Sequence, residues 1–469
     1  MRSRQGATHL LCCALLFTSL LAGGAGIDSP FASAIVQIAA LPLLFWLFIA
    51  YRPGEVMRAA LGNSDSRSRI GIGGLLIVIV ALIVPLIQLI PLPPAIWTAL
   101  PGRQILADAA GFVGADDSWQ PISMVPAETT NAVLQFIPGL ILLVGTLLLS
   151  ERNRVILFLV VLLGGVLGLL LSMVQIAMPA GSVADIYGRA NSFLPVGFFA
   201  NRNHTATFML ACAAIAAALA PLVPSRHRSI GQLALAGLAL AFLVGALATR
   251  SRSGVLLAPL VVIAAGWIFI NGDSRAARWS GIGSAVNKRI LLAIGAVVIA
   301  VGLLSTNYIL PNLLSRFDNS GGGRALFWED VIYAIGVYFP VGSGIGTFAQ
   351  VFQSAERLEM VSPRYVNQAH NEYLQVAMEA GPLGVALLCA AIAWVVIASV
   401  RAWRMPLTPT ESALARASSM ILWIVLLHSI VDYPLRTLAY QAVVALAIAN
   451  LVLMRPLHPR ARSGMNATI

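Results

Sequence analysis

The hydrophobic positions of this 469-residue chain neither alternate nor recur every third and fourth residue. They run together in stretches long enough to cross a bilayer. Twelve stretches approach the roughly 20 residues that a helix needs to span about 30 Å of hydrocarbon. They cover residues 9–26, 31–51, 70–91, 131–150, 155–178, 204–223, 230–249, 255–271, 290–310, 376–400, 420–431 and 435–454. Polar residues gather between them, and three intervening segments exceed a tight turn: 92–130, 179–203 and 311–375. The pattern predicts an all-α polytopic membrane protein of about 12 transmembrane helices, with a large late loop that contains amphipathic helices. Residues 1–310 carry helices 1 to 9, residues 311–375 the loop, and residues 376–469 helices 10 to 12 and a tail. The first stretch ends in the small residues 22–26 and reads alternatively as a cleaved signal peptide, which leaves the remaining topology unchanged.

Composition narrows this picture. Hydrophobic residues at 58%, charged residues at 10% and a mean hydropathy of +0.85 exclude a soluble globular domain. An even number of crossings puts both ends on one side, and both are basic: Arg2 and Arg4 at the start, Arg455, Arg460 and Arg462 at the end. Cytoplasmic termini follow. On that topology the inside segments hold 20 of the 30 basic residues and 5 of the 19 acidic ones, about +15, against −4 outside. The net charge of +11 therefore reflects orientation in a membrane and not a nucleic-acid surface. Cys12, Cys13, Cys212 and Cys389 all lie in apolar stretches, so no disulfide framework or zinc–thiolate site is expected.

Within the late loop, Leu326/Phe327, Val331, Ile335 and Tyr338 recur at helical spacing, predicting an amphipathic helix in the membrane interface with Arg324 and Trp328 on one face. The alternating glycines of residues 340–346 read either as a structural turn or as one whose amides face an anion. Helical periodicity resumes with Asn367 as N-cap and continues to Gly381-Pro382. That places His370 in a first helical turn, where the dipole favours a neutral imidazole able to accept a proton.

His370 is the candidate catalytic base. Arg250 and Arg252 occupy a short outside turn where basic residues are disfavoured. Either they reach lipid headgroups or they form a bidentate clamp on phosphate. Residues 197–204 open the sixth stretch, with Asn203 as a helix cap or with Asn201 and Asn203 as polar ligand contacts. His428 and Asp432 share a face at i, i+4 and read as a structural pair. No serine elbow is present, and the outside loops show no divalent-metal spacing, so neither metal nor cofactor is expected.

Taken together, these motifs resemble the O-antigen ligase and polymerase superfamily of bacterial inner-membrane glycosyltransferases, with a GT-C-like architecture. The resemblance rests on Gly-x-x-x-Asn-x-Asn (Gly197–Asn203), Ser-Arg-Ser-Gly (Ser251–Gly254), Arg-x-x-x-Trp (Arg324, Trp328), Pro-x-Gly-x-Gly-x-Gly, His-Asn-x-Tyr-Leu (His370–Leu374) and His-Ser-x-x-Asp-x-Pro-Leu-Arg (His428–Arg436). It spans nearly the whole chain, and its specificity comes from the set. The resemblance implies a metal-independent, inverting-type transferase that takes a glycan from undecaprenyl pyrophosphate at the periplasmic face. His370, Arg252 and Arg324 would be catalytic. Arg250, Asn201, Asn203, Trp328, Asn371, Tyr373, Asp432 and Arg436 would contact substrate, and Asn371 and Glu372 could orient the histidine. The acceptor could be lipid A–core, another lipid-linked glycan or a protein hydroxyl. The ligase branch fits the His-Asn-x-Tyr-Leu motif and the single dominant loop best. A twelve-span transporter or a lipid flippase is the competing class, but both want polar residues within the spans, whereas here they gather at one face.

Overall fold

The computed structural model describes residues 2–25, 29–61, 69–179, 181–187, 194–271, 324–361 and 365–455. Its helices are α1 (Arg2–Ala22), α2 (Pro30–Ala50), α3 (Pro53–Leu61), α4 (Arg69–Gln88), α5 (Pro94–Trp97), α6 (Gln104–Phe112), α7 (Pro126–Leu147), α8 (Glu151–Ala177), α9 (Arg202–Leu219), α10 (Arg228–Ala248), α11 (Arg252–Asn271), α12 (Arg324–Tyr338), α13 (Phe348–Val351), α14 (Glu372–Arg404), α15 (Pro409–His428) and α16 (Leu438–Leu453). Among the described residues ten are long and apolar enough to cross a membrane, and α16 is a shorter apolar helix of 16 residues. Eleven of the twelve predicted stretches coincide with these helices. The stretch 290–310 lies outside the described residues.

Local chemistry sets the helix starts. Pro30, Pro126 and Pro409 sit in the first turn, where a missing amide costs nothing. Thr408 caps α15 by accepting from the Glu411 amide at 3.1 Å. The bundle is built around α9, whose residues His204 to Leu219 are all buried. Its alanine-rich sequence lets α8, α10, α11 and α15 approach closely, the packing that replaces the hydrophobic effect inside lipid.

Helix α1 is equally central. Cys12, Leu15, Leu16 and Leu20 are buried, and the helix packs on α2, α7, α8 and α16. Where it ends, the Gly23 carbonyl accepts from the Ala439 amide at 3.1 Å and the Gly24 carbonyl from Ala200 at 3.2 Å. A Cβ on Gly24 would lie 1.9 Å from the Phe198 carbonyl oxygen. The segment read alternatively as a signal peptide is part of the core.

One end of the bundle carries the polar elements. A two-residue antiparallel pair, β1 (Pro91–Leu92) with β2 (Gln120–Pro121), closes the loop between α4 and α7. Arg103 from that loop is buried and donates through Nη1 to the Pro101 carbonyl at 2.7 Å and through Nη2 to the Gly342 carbonyl at 2.8 Å and to the Ile122 carbonyl. Burial lowers its pKa to about 10. The guanidinium thus ties the first loop to the glycine turn.

That turn is structural. The Gly342, Ser343 and Gly344 amides donate to the Tyr338, Met378 and Glu379 carbonyls at 2.8, 3.0 and 2.9 Å, and the Ile345 amide donates to Gln88 Oε1 at 2.9 Å. With these four amides engaged, the reading in which they face an anion does not hold. The turn fits into a kink of α14 at Gly381, where φ is +58° and a Cβ would lie 2.1 Å from the Pro340 carbonyl oxygen.

Helix α12 forms where predicted, but its apolar face is covered by protein. Phe327, Val331, Ala334 and Tyr338 pack with Phe348, Val351, Phe352, Ala369 and Met378, while Ile332 and Tyr333 face outward. The buried stripe follows 4-3-4 spacing and passes through Ala334, leaving the predicted Ile335 only partly buried.

Candidate functional site

Six helix ends meet at the polar face: the starts of α9, α11, α14 and α16 and the ends of α10 and α15. Asn201 caps α9 by accepting from the Asn203 amide at 2.9 Å, so the cap is Asn201 and not the predicted Asn203. Asn371 caps α14, accepting from the Tyr373 and Leu374 amides at 3.0 and 3.1 Å. The predicted cap at Asn367 is therefore four residues early. His370 is not in the first helical turn; it precedes the cap, with φ at +48°. The left-handed conformation at His370 turns the chain into the helix, which the hydrophobic spacing alone does not reveal.

This conformation brings His370 Nδ1 to 3.1 Å from Asp432 Oδ1, across 62 positions of sequence. Asp432 is completely buried between α15 and α16, whereas the His370 side chain is 20% exposed. The carboxylate is heavily engaged. Asn201 Nδ2 donates to both oxygens at 3.3 and 3.2 Å, Asn203 Nδ2 to Oδ2 at 2.7 Å, and the Tyr433 amide to Oδ1 at 3.2 Å. His204 Nε2 and His428 Nε2 stand 3.8 and 3.7 Å away. Burial pushes the Asp432 pKa up, but the close approach of His370 and His428 and the facing imidazole of His204 outweigh it. The carboxyl is held well below its usual range. With Nδ1 occupied, His370 Nε2 has no protein partner among the described residues and is the ring nitrogen left to accept a hydrogen bond.

Side chains behind the dyad fix its two halves. The Trp328 indole donates to the Ala369 carbonyl at 2.8 Å, and the Ala369 amide donates to Gln375 Oε1 at 3.0 Å, holding the residue before His370. Glu372 accepts from Ser429 Oγ and from the Leu435 amide, both at 2.9 Å, clamping the segment that carries Asp432. Glu372 therefore orients the aspartate segment rather than the histidine. Asn371 acts as the cap. The Tyr373 hydroxyl donates to the Leu426 carbonyl at 2.9 Å, and Arg436 pairs with the buried Glu379 at 2.8 Å. The polar groups named here for Trp328, Asn371, Tyr373, Arg436 and Asp432 are committed inside the protein, where the sequence suggested substrate contacts.

The arginine turn lies beside this network. Ser251 Oγ donates to Asn203 Oδ1 at 2.8 Å, which fixes the turn against α9. Arg250 is exposed with φ at +54°, and Arg252 opens α11 partly exposed. Arg324 opens α12 one turn before Trp328 in the chain; its side chain lies outside the described residues.

His204, His428 and Asp432 bring ligand atoms within 4.8 Å of one another, a grouping that sequence spacing did not disclose. Its donor chemistry fits a hydrogen-bonded anchor better than a cation site. Asp432 Oδ1 faces His370, Asn201 and a backbone amide, and Oδ2 faces two asparagine amides, so the carboxylate lone pairs already have N–H donors.

Asp432 is the residue whose contact with His370 sequence reasoning missed, since it was read as the partner of His428 and as a substrate contact. Its i, i+4 spacing to His428 was visible, but nothing local pointed to His370. No curated protein matches the chain. A family model described as O-antigen ligase matches residues 236–389, from within α10 through the arginine turn and His370 into α14. That segment is similar to the O-antigen ligase family, and the ten long apolar helices among the described residues are those of a multi-pass membrane protein.

Proposed function

We propose that the protein transfers a glycan from undecaprenyl pyrophosphate to an acceptor hydroxyl at the periplasmic face of the bacterial inner membrane, acting as an O-antigen ligase on lipid A–core. The observation that carries this reading is the His370–Asp432 pair at 3.1 Å, with Nε2 left unengaged on a partly exposed ring. Asp432 holds the Nδ1–H tautomer, so Nε2 accepts the acceptor hydroxyl proton as its oxygen attacks the anomeric carbon. The glycosyl–phosphate bond breaks and the pyrophosphate departs with the electron pair. Attack from the opposite side makes the transfer inverting. Arg252, Arg250 and Arg324 hold the pyrophosphate and stabilise its growing charge, which replaces the need for a metal.

His370→Ala tests the proposal in a deletion strain complemented with the variant. Long-chain lipopolysaccharide should disappear while the protein accumulates normally in the membrane, with lipid-linked polymer building up behind the block. Unchanged surface glycan would remove His370 from the chemistry. Core bearing a single repeat would point to a polymerase, and loss confined to glycoprotein bands would point to transfer onto protein.

A further inference from the structure

We propose that Ser251 is a positioning residue: by donating to Asn203 Oδ1 it fixes the direction of the Asn203 amide and so keeps an N–H donor on Asp432, behind His370. The argument starts from burial. Ser251 has no exposed surface, so both the hydrogen and the oxygen of its hydroxyl need partners within the fold. The oxygen accepts from the Gly254 amide at 3.3 Å, the usual role of a serine before a helix, here α11. Capping uses only the acceptor. The hydrogen goes to Asn203 Oδ1 at 2.8 Å, and this leaves Asn203 Nδ2 facing Asp432 Oδ2 at 2.7 Å. An asparagine amide is nearly symmetric in shape, so what it offers a neighbour depends on which end is claimed elsewhere. Were the amide reversed, an oxygen would face the carboxylate and the interaction would turn repulsive.

The surrounding sequence serves this contact. A Cβ on Gly254 would lie 2.8 Å from the Ala206 Cβ, so glycine lets the first turn of α11 sit against α9 one turn beyond Asn203. The Ser251 amide donates to Thr249 Oγ1 at 3.2 Å, which sets the backbone of the turn between Arg250 and Arg252. One hydroxyl therefore links the proposed pyrophosphate clamp to the proposed base through Asn203 and Asp432. The other groups facing this chain are His204 from α9, His428 from α15, the Tyr433 ring 4.9 Å from His370, and the Phe327 ring 6.4 Å away from α12. None of them contacts Asn203 Oδ1, so none takes over if Ser251 is lost.

The inference rests on the proposed function only in calling His370 the reacting group, and its test has a readout that needs no glycan. Carbethoxylation of His370 by diethyl pyrocarbonate, followed against pH by site-resolved mass spectrometry, gives the titration midpoint of that ring. Losing the Asn203 donor leaves more charge on Asp432 and strengthens its hold on a protonated His370. Ser251→Ala should therefore move the midpoint to higher pH and lower transfer about tenfold with little change in donor KM, as removal of one buried hydrogen bond predicts. Ser251→Thr should restore both. In an Asn203→Ala background, removing the Ser251 hydroxyl should change neither quantity further. An unmoved midpoint in Ser251→Ala, or an equal loss of transfer in both backgrounds, overturns the proposal by reducing Ser251 to a cap. Should Ser251→Ala not accumulate, Ser251→Cys, similar in size with a weaker donor, carries the same comparison. A wild-type protein that transfers no glycan would sink the proposed function yet leave the midpoint comparison intact.

Discussion

Two residues outside glycine adopt a left-handed backbone among those described, Arg250 and His370. Both were singled out from sequence for chemical reasons that say nothing of φ. Each such residue costs about 1–3 kcal/mol and persists where its surroundings over-determine it, which fits a turn that must aim a guanidinium and a turn that must aim an imidazole. The chemical identity of these positions was legible; their geometry was not, because partners 62 residues apart leave no local pattern. Asp432→Asn should lower turnover about 10²- to 10⁴-fold, the range of a lost acid–base partner, because an amide facing Nδ1 cannot stabilise the imidazolium. In pH terms, the folded Asp432 carboxyl ionises below the unfolded value of about 3.9. Its contribution to stability is therefore complete above that pH and is lost only as pH falls through the folded value. Any loss of transfer between pH 8 and 5 should accordingly follow protonation of an imidazole, and Asp432 should stay charged throughout. Arg252→Lys and Arg324→Lys should each impair transfer with membrane levels unchanged, since an ammonium cannot reproduce a bidentate fork. Normal glycan from both lysine variants would reduce these arginines to interface anchors.

At the scale of elements, periodicity located α12 and α14 and misjudged how they begin and what they touch. Asn367 and Asn371 are equally good caps by residue type, and only the backbone at His370 decides between them. Gly381-Pro382 looked like a helix end. It is a kink, because the chain resumes helical geometry on the far side once the glycine turn has filled the gap. The glycine spacing was visible in the sequence, but its purpose depends on Arg103, Gln88 and the α14 carbonyls, which are distant in the chain. Gly342 has φ at +81°, and a Cβ there would sit 2.4 Å from the Glu379 carbonyl oxygen. Gly342→Ala should therefore destabilise the protein by at least about 2 kcal/mol and reduce the yield of folded, detergent-extracted material. Gly336→Ala on the open side of α12, where a Cβ meets nothing within 4 Å, should be tolerated and serves as the control.

For the molecule as a whole, hydropathy and charge carried most of the information, because lipid demands that every backbone polar group be satisfied inside a helix and so leaves few architectures open. That is why eleven apolar stretches could be matched to helices, while convergence of their polar ends on Asp432 could not be foreseen. Metal independence is testable at this scale. Exhaustive chelation of purified protein should leave transfer from lipid-linked donor unchanged. A loss restored by one divalent ion would instead assign His204, His428 and Asp432 to a metal.

The position of α1 has a consequence for biogenesis. Helix α1 packs against α16, the last apolar helix described, and the glycine carbonyls that follow α1 receive amides from Ala200 and Ala439. Because α1 precedes α16 by about 400 residues, it must remain unsealed until residues 438–453 have been inserted, and chains that stop before residue 438 should be substrates for membrane proteolysis rather than partly working proteins.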